Sequence, residues 1–178
     1  MALPSNSTNG VQGADCKVKK VKNNLKDRAN VPVAPPLYFF ICLGLGLLLE
    51  YVLPLRLVCL PWAARITLSG LLLLISGYFA ASAFTVLIKN NTPFDHARPT
   101  AVIVREGSFK FSRNPMYLSL LILIAGIAVL TCSLWLYIAI PILFILLDVL
   151  AVRPEEKYLS QKFEKYYSDY KAEVRRWI

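Results

Sequence analysis

Two short stretches of this chain hold the residue types from which a polar site could be assembled. The first is residues 106–117, Glu-Gly-Ser-Phe-Lys-Phe-Ser-Arg-Asn-Pro-Met-Tyr, and the second is residues 153–156, Arg-Pro-Glu-Glu. Brought together they would place the Arg113 guanidinium, the Asn114 amide and the Tyr117 phenol beside the carboxylates of Glu155 and Glu156. Such a set can clamp a zwitterionic small molecule. The planar fork of arginine takes a carboxylate in two parallel hydrogen bonds, and a glutamate pairs with an ammonium. About forty residues separate Arg113 from the glutamates, so the site exists only if the intervening chain doubles back.

Other polar residues within or beside apolar sequence carry less. His96 is the single histidine and titrates near neutral pH, but a lone loop histidine is more often incidental, and it ranks with Arg153 as a second-tier candidate. Asp148 supports the site from behind. Glu50 lies inside apolar sequence a few residues from Arg56, and pairing between them is the simplest account of a carboxylate there. Gly44-Leu45-Gly46 lacks the third glycine and the preceding strand of a dinucleotide loop. Gly70, Gly77 and Gly126 read as points of close helix packing. Cys16, Cys42, Cys59 and Cys132 have no metal-ligand spacing and read as packing residues, not as disulfide or zinc ligands.

The elements that must position these groups are dictated by solvent. Of 178 residues 56% are hydrophobic, and they run in uncharged blocks that a water-soluble core of this size neither needs nor can bury. Roughly 20 helical residues cross the hydrocarbon of a bilayer. Residues 36–53 and 66–88 have that length. Residues 116–152 are too long for one crossing, since a single helix would extend roughly 55 Å. A hairpin that breaks near Thr131-Cys132-Ser133 solves this, with a short first arm that either begins tilted or lies partly in the interface, and it returns residues 153–156 to the face where residues 106–117 begin. The expectation is an all-α integral membrane protein of about four transmembrane helices, with a C-terminal hairpin and an amphipathic C-terminal helix.

Charge supports this topology. Eighteen of the 20 Lys and Arg residues fall before the first span, between the second and third, or after the fourth. By the positive-inside rule both termini are cytoplasmic. The net charge of +9 is divided among three juxtamembrane segments, so anionic lipid headgroups account for it and nucleic acid does not. Residues 1–30 read as a flexible basic tail, residues 31–65 as the first span with its outer loop, and residues 66–178 as the core. Residues 89–115 mix prolines with Phe94, Val102, Ile103, Val104, Phe109 and Phe111, which predicts a packed lid. Beyond Pro154, residues Leu159, Phe163, Tyr166, Tyr170, Val174 and Trp177 recur at intervals of three and four and predict one apolar helical face.

The ordered series Gly107-x-Phe109-x-x-Ser112-Arg113-Asn114-Pro115-Met116-Tyr117-Leu118, then Ile140-Pro141, then Glu155-Glu156-x-Tyr158-Leu159, resembles the superfamily of isoprenylcysteine carboxyl methyltransferases and phospholipid methyltransferases, and the upstream Thr92-Pro93-Phe94 and Arg98-Pro99-Thr100 are similar to its small bacterial members. The resemblance covers roughly residues 66–178. It implies a membrane methyltransferase that uses S-adenosylmethionine, with the cofactor between the hairpin's cytoplasmic ends and a lipophilic or small membrane-soluble acceptor (a carboxylate, amine or thiol) reaching it through the bilayer. By position it assigns the cofactor to Arg113, Asn114, Pro115, Tyr117, Glu155 and Glu156, with Arg113 and Glu156 the catalytic pair and no metal. Asn114 stands where the isoprenylcysteine enzymes carry histidine, and Ser119 where a glycine often follows the tyrosine. Both departures point away from a prenylcysteine acceptor more than from methyl transfer.

Two other classes compete. Membrane sterol-type reductases have a similar Arg-x-Pro-x-Tyr neighbourhood and use NADPH. A non-catalytic membrane scaffold would use Arg113 and Tyr117 as interfacial anchors and the two glutamates only to complement a helix N-terminus.

Overall fold

A computed structural model describes residues 33–55, 60–89 and 103–178 of the chain. The described part is helical: α1 (Pro35–Val52), α2 (Trp62–Lys89), α3 (Pro115–Thr131), α4 (Leu134–Leu147) and α5 (Arg153–Glu173), with a 3-10 turn at Gly107–Lys110 and a π turn at Asp148–Val152. The expected basic tail, His96 and Arg56 lie outside the described residues, as do residues 90–102 of the expected lid.

Three helical stretches are long and apolar enough to cross a bilayer: Pro35–Val52, Trp62–Lys89 and the continuous path Leu134–Glu173 formed by α4, the π turn and α5. Helix α3 is apolar but has 17 residues, about 25 Å at 1.5 Å per residue, which is the short arm the sequence predicts. It ends where expected. Thr131 is its last residue, Cys132 adopts the left-handed conformation (φ 55°, ψ 22°), and Ser133 precedes α4. This turn reverses the chain within two residues and makes α3 and α4 an antiparallel pair. Helix α2 packs chiefly on α3 and α1 chiefly on α4.

Close approach between helices depends on small residues. A Cβ on Gly46 would sit 2.5 Å from Leu136 Cδ2, and one on Gly126 would sit 3.2–3.3 Å from Leu73 and Leu72. The packing role expected of Gly126 holds, whereas Gly70 and Gly77 have nothing within 4 Å of an added Cβ. Between α2 and α3, Ser76 Oγ donates to Ser119 O at 2.8 Å, a polar contact of the kind that fixes register where apolar burial gives no direction.

The hairpin-turn end is polar in its own way. Ser133 Oγ donates to Glu50 Oε2 at 2.8 Å, so a serine meets the carboxylate that sequence paired with Arg56. Trp135 Nε1 donates to Leu53 O at 2.8 Å and Leu134 N to Leu55 O at 2.9 Å. Cys132 is part of a disulfide whose partner lies outside the described residues, correcting its reading as a packing thiol. Cys42 is free and buried.

At the opposite end the C-terminal helix departs from the predicted stripe. Glu164 has φ 39° and ψ −110°, a kink that resets the helical phase. Tyr167 and Tyr170 are therefore the buried pair, and Tyr166 is 63% exposed. The helix stops at Glu173, and Val174 is extended (φ −123°, ψ 132°). Residues 174–178 consequently form a strap that crosses back over the start of α3, where the stripe had placed two further helical positions.

Candidate functional site

The open end of the hairpin gathers the two sequence stretches. Pro115 opens α3 and is buried, as suits a residue whose fixed φ is preorganised for a first turn. Its placement aims Arg113, just ahead of the helix, across to α5.

On the facing side, α4 runs into α5 without a break. Pro154 cannot donate a hydrogen bond, and its ring crowds the carbonyl four residues back. The π turn ahead of it widens the helix and makes room. Within that turn Arg153 N–H bonds Asp148 O, five residues earlier, so the side chains of residues 148 and 153 stack and Arg153 Nε meets Asp148 Oδ2 at 2.8 Å. Such turns are frequent at functional sites. Because the helix is continuous, Glu155 and Glu156 do not sit at a free N-terminus, and complementing a helix dipole does not explain them.

Arg113 Nη1 lies 2.9 Å from Glu156 Oε1, with side chains 10% and 8% exposed. Tyr117 Oη donates to Glu155 Oε2 at 3.0 Å. Thus Arg113, Tyr117, Glu155 and Glu156 converge. Asn114 is turned differently: its Nδ2 donates to the main-chain carbonyl of Arg176 at 3.0 Å. Ser112 Oγ also donates to Arg176 O, at 3.2 Å, and Arg113 N donates to Arg175 O at 3.1 Å. The segment ahead of α3 is therefore laced to the strap.

The residue that sequence reasoning missed is Arg176. Its Nη2 is 2.7 Å from Glu156 Oε2 and its Nη1 is 3.4 Å from Asp148 Oδ1. Arg113, Arg153 and Arg176 thus face Asp148 and Glu156 at the open end of the hairpin. Asp148 does support the site from behind, as expected, and Arg153, with a side chain 62% exposed, forms its rim. Burying such charges is tolerable only when each has a counterion.

The pairing is incomplete in one respect. Arg113 Nε and Nη1, Glu156 Oε1 and Arg176 Nε are buried and make no hydrogen bond. Arg113 and Glu156 meet at ion-pair distance without the alignment a hydrogen bond requires. A buried donor and acceptor left in this state normally have another use.

The described part of the expected lid is packed at Val104 and Ser108, whereas Phe111, expected to pack with it, is 62% exposed. Gly107 takes φ +57°, and a Cβ there would lie 2.8 Å from Ser82 Oγ. The same hydroxyl accepts from Ser108 N at 3.0 Å, which seats the 3-10 turn on α2. From the other side Tyr170 Oη donates to Phe109 O at 2.8 Å, and Arg105 reaches Tyr166 O at 2.6 Å and Glu173 at 3.1 Å.

Burial pushes the Tyr170 phenol up to about 12 despite the nearby Arg113 and Arg105. Burial, reinforced by Glu156, also raises Tyr167. In the unfolded chain these phenols ionise near 10, so above that pH unfolding releases protons that the native state retains. The stability they contribute is complete below pH 10 and is lost as pH rises through about 12. Thermal unfolding followed in detergent should show this alkaline decline, and replacing both tyrosines by phenylalanine should make it shallower.

The helices define a multi-pass helical membrane protein with a buried charge cluster at the open end of its α3–α4 hairpin. Residues 64–166 match the phospholipid methyltransferase family, and the chain belongs to that family, within the superfamily that also contains the isoprenylcysteine carboxyl methyltransferases. Membership points to a membrane methyltransferase dependent on S-adenosylmethionine. Comparison with curated proteins and with solved structures gives no match.

Proposed function

We propose that the protein transfers a methyl group from S-adenosylmethionine to a lipophilic acceptor delivered through the bilayer, with Arg113, Asn114, Pro115, Tyr117, Glu155 and Glu156 forming the cofactor seat. The observation that carries this reading is the buried Arg113–Glu156 pair, whose facing atoms Nη1 and Oε1 lack hydrogen bonds. One end of the cofactor is an amino acid, and its carboxylate and ammonium complement a guanidinium and a carboxylate in that order. The residues present therefore fit it, and the family match favours methyl transfer over the reductase and scaffold readings.

When bound, S-adenosylmethionine supplies a methyl already activated on a sulfonium, so the protein's tasks are to align an acceptor with it and to exclude water. Arg113 holds the carboxylate and Glu156 the ammonium. Tyr117 fixes Glu155 through its hydroxyl, and Pro115 sets the direction from which Arg113 enters. Asn114 acts on the seat by holding the strap above it.

Access from the membrane is supported by the outer face of the same helical path. Ile142, Phe144, Ile145 and Val149 are exposed, and Val149 directly follows Asp148 of the cluster, so an acyl or prenyl chain lying along α4 arrives beside the charges. A cytoplasmic site end is supported by the placement of Lys and Arg, and by the Cys132 disulfide at the far end, since disulfides persist outside the cytosol.

The direct test is to incubate the protein in lipid with a methyl-labelled donor and a membrane lipid extract, then identify the labelled product. A labelled lipid is the expected result. Absence of both labelled product and S-adenosylhomocysteine binding would overturn the proposal.

A further inference from the structure

We propose that Arg176 is a positioning residue for the donor's amino-acid end: it holds Glu156 by Oε2, so that Arg113 and Glu156 Oε1 can be parted by a zwitterion without leaving a bare carboxylate. This rests on the reading of that pair as the cofactor seat. It assigns a role to a residue outside the matched region, which ends at residue 166.

Glu156 has two oxygens and two arginine partners, one on each: Arg113 on Oε1 at 2.9 Å and Arg176 on Oε2 at 2.7 Å. The contacts differ in kind. The Arg176 contact is a hydrogen bond, whereas Oε1 and Arg113 Nη1 make none. The well-made contact stays and the poorly aligned one opens. On insertion the ligand's ammonium replaces Arg113 at Oε1 and its carboxylate replaces Glu156 at Arg113. The cluster gains no net charge, and Glu156 is never without a cation.

Arg176 is built to stay. Its carbonyl accepts from both Asn114 Nδ2 and Ser112 Oγ, the preceding carbonyl accepts from Arg113 N, and the following residue, Trp177, packs on Phe144 with ring centroids 5.0 Å apart. Its second contact, to Asp148 Oδ1 at 3.4 Å, braces the guanidinium between the end of α4 and the start of α5. Sequence alone presents Arg176 as one more juxtamembrane cation. The strap makes it part of the site.

Two ligands separate positioning from general structural support. S-adenosylhomocysteine carries the amino-acid end, and 5′-methylthioadenosine has the same nucleoside and a thioether without it. With full-length protein in detergent, Arg176→Gln should weaken S-adenosylhomocysteine binding at least tenfold and leave methylthioadenosine within about twofold, since one charge-assisted contact is worth about a factor of ten or more. Arg176→Lys, which keeps the charge, should retain more S-adenosylhomocysteine affinity than Arg176→Gln, and it carries the test where the glutamine variant fails to fold. Equal weakening of both ligands, or unchanged S-adenosylhomocysteine binding, would overturn the proposal and leave the seat standing. Wild-type protein that binds neither ligand would overturn the seat as well.

Discussion

Replacing Glu156 with alanine should cost the protein both its fold margin and its ligand. Among the described residues Glu156 is the carboxylate shared by Arg113 and Arg176, at 2.9 and 2.7 Å, and its side chain is 8% exposed. Without it Arg176 keeps Asp148 at 3.4 Å, but Arg113 is left with a 10% exposed guanidinium and no carboxylate among its described ion pairs. Removing one partner of a buried pair typically costs about 3–5 kcal/mol, because the remaining charge cannot rejoin water. The expected outcome is a large drop in the thermal unfolding midpoint in detergent together with loss of S-adenosylhomocysteine binding. Glu155→Gln provides the comparison. An isosteric glutamine still offers an oxygen to the Tyr117 hydroxyl, so the loss should be smaller than with Glu156→Ala. Equal unfolding midpoints for Glu156→Ala and wild type would remove the charge cluster from the account of the fold.

Arg113→Ala should separate binding from stability. Here the carboxylate left behind is not orphaned, since Arg176 still holds Glu156 Oε2. The unfolding midpoint should therefore fall less than with Glu156→Ala. Ligand affinity should fall more steeply, because a guanidinium fork makes two charge-assisted hydrogen bonds to a carboxylate, each contributing about 1.5–3 kcal/mol. At about 1.4 kcal/mol per decade, isothermal titration should register a loss of roughly a hundredfold or more in S-adenosylhomocysteine affinity. Affinity retained within threefold would show that the ligand's carboxylate is held elsewhere.

The parts of this architecture that were legible in sequence are those governed by solvent and by chain reversal. A tract too long for one crossing with a small polar interruption at residues 131–133 forces a hairpin, and the hairpin places residue 113 opposite residue 156. The Asp148 contribution was legible for the same reason, being a carboxylate that apolar sequence does not otherwise explain. Periodicity failed where the helix is not ideal. The stripe through Tyr166 and Trp177 assumes one unbroken phase, and the left-handed Glu164 resets it, so Tyr167 is buried instead of Tyr166. Arg176 was lost by the same assumption. Continued as a helix, residues 174–178 point away from α3, and only an extended strap returns them. The helix N-terminus that the scaffold reading gave the two glutamates is also absent, because proline tolerates a continuous helix when a π turn relieves it. Helix-packing glycines illustrate a third limit: Gly126 and Gly70 are alike in sequence, and only the neighbouring helix decides which of them is needed.

The π turn at Asp148–Val152 also constrains which changes of length the protein tolerates. It is a one-residue insertion accommodated inside an unbroken rod, and each residue of an α-helix advances the azimuth by about 100°. Deleting a residue from this segment would restore regular winding and leave both glutamates facing Arg113, but it would part Asp148 from Arg153, whose contact depends on the five-residue spacing of the π turn. A homologous chain one residue shorter at this turn should therefore keep the same site on an uninterrupted α-helix, whereas a deletion within Leu134–Leu147 would turn both glutamates by about 100°.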